Sequence, residues 1–409
     1  MTRIAVLDDD PTGSQTVHGV SIVLALDDAA ICVDGRATFF LTNTRSLPEA
    51  EAAALTERVA RRLLERDGGL EIISRSDSTL RGHVVAEVEA IDRARRAVTG
   101  RGYDAVLLVP AFFEAGRYTR DDVHWAGEQP VGETEFARDA TFGYRSSNLR
   151  EFVAEKRGDV EVSSLSLEDI RAGRAGERLR DARGWIVVNA EGYDDLGAVV
   201  RGVRESGRAF VYRTGPSFVR ALAGIEPIEP LTAAEIWPDG HPGRHGLVVV
   251  GSHVGLTTRQ VEATEGLREI ELDVAALEPE RVGREAADAL RERDVLLYTS
   301  RRLQRGADAD ESLAIARRVS TAVTEVVRGA LAARPAWVIA KGGITSHDVA
   351  VRGLGIRRAE VLGQLLPGMI SVFRPLEAAE QAVGMPYVVF AGNVGDERTL
   401  ADIVQRLRA

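Results

Sequence analysis

Short apolar runs recur along almost the whole chain, each followed by a polar or glycine-rich loop and then by an amphipathic stretch. No other feature restricts the fold as much. The runs are Ile4–Leu7, Ser21–Leu26, Thr38–Thr42, Glu71–Ser74, Ala105–Val109, Trp185–Asn189 and Ala209–Arg213, and then Gly246–Val250, Val295–Thr299, Trp337–Ala340 and Tyr387–Phe390. They are short and rich in Val, Ile and Leu, as strands buried on both faces should be. Helical spacing fills the gaps at Glu49–Arg66, Gly82–Ala97, Arg284–Glu292 and Asp310–Ala333. Alternating strand and helix implies an α/β fold with mostly parallel sheets flanked by helices. The densest Pro/Gly stretch, near residues 225–245, suits a linker. Two domains are therefore expected, 1–230 and 231–409, each with its own sheet.

The formal net charge of −10 speaks against a protein that coats nucleic acid or an anionic membrane, since both need a positive field. A small anionic ligand remains compatible, because a local arginine cluster can outweigh the average. The single cysteine, Cys32, excludes an intramolecular disulfide. The seven histidines form no H-E-x-x-H pair, and no metal site is expected. No leader and no apolar stretch of about 18 residues is visible, so the cytoplasm is the expected location. A homo-oligomer is compatible with the chain.

In doubly wound sheets, ligands bind beyond the carboxyl ends of the strands. In the first half these ends carry Asp8-Asp9-Asp10-Pro11-Thr12-Gly13, then Asn43-Thr44-Arg45-Ser46, then Arg75-Ser76-Asp77-Ser78-Thr79-Leu80-Arg81-Gly82. Carboxylates, arginines and hydroxyls at one rim suit a small polyhydroxy acid: arginine forks grip carboxylates, and aspartates accept from sugar hydroxyls. Each loop alone reads as a cap or turn; several in register read as a site. In the second half the ends carry Gly251-Ser252, Lys341-Gly342-Gly343-Ile344-Thr345-Ser346 and Gly392-Asn393-Val394-Gly395. Small residues let backbone N–H groups approach phosphates, so these loops read as a nucleotide site. Neither a P-loop nor a G-x-G-x-x-G fingerprint is present.

The spacing Asp8-x-Asp10-x-Thr12 also resembles the nucleophile motif of haloacid-dehalogenase-type phosphatases, with Lys341 as the required lysine. That reading leaves Asp77–Gly82 and the glycine loops unexplained. A non-catalytic sugar-acid sensor is a third possibility.

Over nearly its whole length the chain resembles the four-carbon acid sugar kinase family. The resemblance rests on Asp9-Asp10-Pro11-Thr12-Gly13, on Asn43-Thr44-Arg45-Ser46 and above all on Asp77-Ser78-Thr79-Leu80-Arg81-Gly82. In the second half it rests on Gly251, Ser252, Thr257 and Gln260, on Gly342–Ser346 and on Gly392–Gly395. The resemblance implies a sugar-acid domain, an ATP domain and an active site in the cleft between them. The reaction would be phosphorylation of the terminal hydroxyl of threonate, erythronate or a 3-oxo-tetronate, with ATP and Mg2+ as cofactors. Asp10, or Asp9, would orient or deprotonate the hydroxyl. Asn43, Thr44, Arg45, Arg75, Asp77, Ser78 and Arg81 would hold the sugar acid, with Arg45 and Arg81 on its carboxylate. Ser252, Gly342, Gly343, Thr345, Gly392, Asn393 and Gly395 would hold ATP. Asp8 falls outside the family pattern and would be structural.

Overall fold

A computed structural model describes residues 3–10, 13–251, 254–300, 309–366, 368–392 and 394–408. Contacts divide the chain into two units, Met1–Pro227 and Ile228–Ala409. Both are α/β, as the alternation implies.

The first unit contains β1 (Ile4–Asp8), β2 (Val20–Val23), β3 (Ala37–Leu41), β4 (Glu71–Arg75) and β5 (Ala105–Val109). It continues with β6 (Arg117–Arg120), β7 (Val123–Ala126), β8 (Gln129–Pro130), β9 (Val162–Leu165), β10 (Gly184–Val188) and β11 (Phe210–Thr214). Eight of these form a parallel array in the order β2-β3-β1-β4-β11-β5-β10-β9. Their register aligns the strand ends. Asp8 lies opposite both Leu41 and Arg75, Arg75 opposite Thr214, and Thr214 opposite Val109. The loops starting at Asp9, Thr42, Ser76, Gly215 and Pro110 therefore leave the sheet at one level along one rim. Strands β6, β7 and β8 form a separate antiparallel sheet, which no apolar run in the sequence announces.

Helix α1 (Glu49–Arg66) buries Ala52, Thr56, Val59, Ala60, Leu63 and Leu64, one stripe at helical spacing. Pro48 sits at its start, and Glu49 and Glu51 in its first turn complement the helix dipole. Helix α2 (Val84–Thr99) ends where Gly100 turns left-handed and its N–H returns to the Arg96 carbonyl. The sides of α1 and α2 that meet the sheet share a core with Leu7, Phe40, Ile72 and Val211.

The second unit contains β12 (Leu247–Val250), β13 (Arg268–Leu272), β14 (Val295–Thr299), β15 (Val338–Lys341), β16 (Arg358–Leu366), β17 (Ile370–Glu377) and β18 (Tyr387–Phe390). Their order is β13-β14-β12-β15-β18-β17-β16. The first five are parallel, whereas β17 runs antiparallel to β18 and β16 antiparallel to β17. Val250 lies opposite Lys341, and Lys341 opposite Phe390, so the three glycine-rich loops again leave one rim together. No helix among the described residues is long and apolar enough to cross a membrane.

Candidate functional site

The rim of the first unit is a network of arginine–carboxylate pairs. Asp8 ends β1, fully buried. Its Oδ1 accepts from Arg75 Nη1 at 2.9 Å and from the Asp10 N–H at 3.3 Å. A Cβ on Gly13 would lie 1.7 Å from Asp8 Oδ2, so only glycine lets the turn close over this carboxylate. Burial pushes the Asp8 carboxyl up to about 7, against the pull of Arg75. Enclosed in this way, Asp8 offers no open nucleophile. Lys341, the lysine of the phosphatase reading, is buried too.

One guanidinium holds both remaining aspartates. Arg45 Nη2 donates to Asp9 Oδ1 at 2.6 Å, Nε to Asp9 Oδ2 at 3.4 Å and Nη1 to Asp10 Oδ2 at 3.0 Å. Asp9 is buried, whereas the Asp10 side chain is 22% exposed. Burial raises the Asp9 carboxyl, opposed by Arg45. Burial works against the Arg45 charge, but Asp9, Asp10 and Asp77 outweigh it and hold the guanidinium more firmly protonated than usual.

Beneath this pair lies a second, wholly buried one. Arg213 of β11 donates through Nη1 to Glu87 of α2 and, at 2.7 Å, to Ser74 Oγ. Among the described residues its Nη2 has no hydrogen-bond partner, and it stands 4.0 Å from Asp9 Oδ2. Glu87 also accepts from the Thr44 hydroxyl and, at 3.2 Å, from Ser74 Oγ. Thr44 is thus turned inward, away from solvent. Neither Glu87 nor Arg213 figures in the expected site. Both leave a trace in the sequence: Arg213 interrupts an apolar strand, and Glu87 falls on the buried stripe with Val84, Val88 and Ile91.

The Asp77–Gly82 segment folds on itself. Asp77 Oδ1 accepts the Thr79 N–H at 3.1 Å, and Oδ2 accepts from the Thr79 hydroxyl and from Arg81 Nε at 2.6 Å. Burial would raise Asp77, but Arg45, Arg81 and these hydrogen bonds hold its carboxyl well below the usual range. Leu80 adopts φ 67°, the strain of a tight loop held by its charges. Ser78 is buried, and its carbonyl accepts from His124 Nε2 at 2.8 Å while the Thr119 hydroxyl bonds Nδ1 at 2.9 Å. Burial lowers His124 to about 4, so it stays neutral. Asn43 turns left-handed at φ 49° where the third loop leaves its strand. Of the expected substrate residues, Arg45, Arg75 and Arg81 therefore all carry an internal carboxylate partner.

In the second unit, Gly251, Gly342, Gly343, Thr345, Gly392 and Gly395 gather at one rim. The Gly251 N–H donates to the Lys341 carbonyl at 3.4 Å, and the Gly342 N–H to the Phe390 carbonyl at 2.8 Å. A Cβ on Gly251 would lie 2.2 Å from Thr345 Oγ1, so two loops touch there. Thr257 Oγ1 donates to the Gly392 carbonyl at 2.8 Å. Gln260 Nε2 donates to the carbonyls of Val394 and Asp396 at 3.0 and 2.6 Å. Thr257 and Gln260 thus brace the third loop from below. Lys341 is fully buried, with Nζ 3.1 Å from the Ala391 carbonyl and 3.6 Å from the centre of the Phe390 ring. Burial lowers it to about 7. Ser252 and Asn393 lie outside the described residues.

Comparisons with known proteins match both units of the chain. A family model described as a sugar-binding N-terminal domain matches residues 4–222, and one described as a nucleotide-binding C-terminal domain matches residues 247–400. A D-threonate kinase of Bordetella bronchiseptica is 30% identical over 387 residues, 90% of this chain and 85% of that protein. A D-threonate kinase of Salmonella typhimurium is 26% identical over 325 residues, covering 74% of this chain and 73% of that one. A solved Haemophilus influenzae structure from a family of unknown function superposes with a TM-score of 0.68 at 18% identity. The match covers 98% of this chain and 99% of that one, and bears on the fold alone.

Proposed function

The chain belongs to the four-carbon acid sugar kinase family, and on that premise we propose that it is a cytoplasmic, ATP-dependent kinase of a four-carbon sugar acid. The acceptor is a terminal hydroxyl of a threonate-, erythronate- or 3-oxo-tetronate-type acid. One observation carries this reading above the others: Asp9 and Asp10 share a single guanidinium, yet only Asp10 keeps an exposed edge.

Phosphoryl transfer asks a protein for positioning and charge stabilisation rather than for covalent chemistry. Asp10, anchored through Oδ2 to Arg45, is oriented to accept the hydroxyl proton as the oxygen attacks. Asp9, buried and gripped twice, fixes the Arg45 fork and with it the Asp10 rotamer. The loops at Gly251, Gly342–Thr345 and Gly392–Gly395 suit the close approach of ATP phosphates to backbone N–H groups. Mg2+ would ride on those phosphates and neutralise part of their charge.

The experiment is coupled ADP detection with D- and L-threonate, D- and L-erythronate and their 3-oxo forms. ADP should appear only when an acid is present. Asp10→Asn should lower kcat by about 10²–10⁴-fold, the usual loss for a general base, with the protein still folded. Phosphate release from a phosphorylated acid without nucleotide, or undiminished turnover in Asp10→Asn, would overturn the reading.

A further inference from the structure

Four arginine side chains at the sugar-acid rim are matched to carboxylates: Arg45 to Asp9 and Asp10, Arg75 to Asp8, Arg81 to Asp77 and Arg213 to Glu87. Arg117 is another. Its backbone is pinned to the rim: Phe112, three residues past the end of β5, and Arg117 exchange two hydrogen bonds of 2.9 Å. Its guanidinium lies 5.7 Å from the centre of the Phe136 ring and 6.0 Å from that of Phe112. Arg81 stands over the same Phe136 ring at 5.2 Å. Among the described residues Arg117 has no ion pair, and its buried Nε has no hydrogen-bond partner.

A cation sheltered by two aromatic faces but given no counter-ion is costly, because ring faces replace only part of the lost hydration. Burial accordingly weakens its hold on the proton, with the Asp77 charge partly offsetting this. The neighbouring carboxylates are engaged: Asp77 by Arg81 and Thr79, and Asp139 by the N–H groups of Thr141 and Phe142 and, at 3.7 Å, by Arg81. The anion that completes Arg117 must therefore come from outside, and a guanidinium fork matches a carboxylate in two parallel hydrogen bonds.

We propose that Arg117 is the residue that grips the carboxylate of the sugar acid, in place of Arg45. This rests on the sugar-acid kinase reading and adds which end of the substrate goes where. The carboxylate lies toward β6 and Phe136, leaving the hydroxyl end for Asp10. Aromatic walls beside the fork discriminate against neutral sugars, because an uncharged head group there would leave the cation unmatched.

The test compares the best acid substrate with its primary amide, which keeps the shape and loses the charge. Arg117→Met should raise KM for the acid by about 10- to 150-fold, the worth of a charge-assisted pair. KM for ATP should be unchanged, kcat should stay within a few-fold, and the preference for acid over amide should disappear. Arg117→Lys, which keeps the charge without the fork, should fall between the two and serves if the Met variant does not fold. An unchanged KM for the acid, or an equal loss on acid and amide, overturns the assignment. Should the wild-type protein form no ADP with any acid, the kinase reading falls separately. Calorimetry of the four-carbon acids on nucleotide-free protein then decides. Binding to wild type but not to Arg117→Met upholds the assignment; equal binding to both, or none, overturns it.

Discussion

Glu87 and Arg213 form the charged floor of the sugar-acid rim, and their energetics can be worked from the structure. Both side chains are all but sealed, at 4% and 1% exposure. Glu87 accepts from Arg213, Thr44 and Ser74, while Arg213 donates to Glu87 and Ser74 and otherwise faces Asp9 at 4.0 Å, so each charge of the pair has the other as its hydrogen-bonded counter-charge. Removing one partner of such a pair leaves a bare buried charge, at a cost of about 3–5 kcal/mol. For a domain of this size that is a fall of about 6–20 °C in Tm. Replacing both by apolar groups of similar volume removes the desolvation cost together with the attraction, and is often neutral. Arg213→Met and Glu87→Leu alone should therefore each destabilise by about 3–5 kcal/mol, and the double variant by less than either. The assay is urea unfolding of the intact chain for wild type, both single variants and the double. Additive losses would refute the reasoning, since they would mean that the two charges do not depend on one another. Losses below about 1 kcal/mol, the range of an exposed pair, would refute the burial on which it rests.

Two further outcomes are expected from the same geometry. The Asp8 carboxyl is raised from 3.8 to about 7 in the folded chain, so its stabilising share is complete below about pH 4 and is lost as pH rises through 7. Asp8→Asn, which does not titrate, should gain stability relative to wild type by roughly 4 kcal/mol between pH 4 and 7.5; denaturant midpoints at those two pH values check this, and a constant difference refutes it. Gly251→Ala places a methyl group 2.2 Å from Thr345 Oγ1. The forced shift, about 1–3 kcal/mol, should raise KM for ATP by about 5- to 150-fold and leave KM for the sugar acid unchanged. An unaltered KM for ATP would show that this loop contact does not shape the nucleotide site.

The sequence carried the positions of the chemistry far better than its pairing. Parallel strands end in register, so an apolar run followed by a polar loop already says that its loop belongs to the rim; Asp8, Arg75 and Thr214 lie side by side for that reason. Helix α1 was legible to the residue because its buried positions repeat at helical spacing. The edges were less so. In β13, Arg-Glu-Ile-Glu-Leu, only Ile270 and Leu272 are buried, which leaves no continuous apolar run to recognise. The hairpin of β16 and β17 mixes charged with apolar positions and carries register shifts. The small sheet of β6, β7 and β8 is held by local pairing rather than by a large core.

Pairing is the harder problem, because a charge has no periodicity. Arg45 is 36 residues from Asp9, and Arg213 is 126 from Glu87; nothing local announces either bond. From the sequence, Arg45 and Arg81 look like free forks awaiting a substrate carboxylate, since arginine after a strand reads the same whether its partner is internal or arrives by diffusion. The fold separates the two cases. At this rim Asp8 pairs with Arg75, Asp9 and Asp10 share Arg45, Asp77 pairs with Arg81 and Glu87 with Arg213. Arg117, proposed above to receive the substrate carboxylate, has no ion pair among the described residues, yet it reads in the sequence as one more loop arginine after β5.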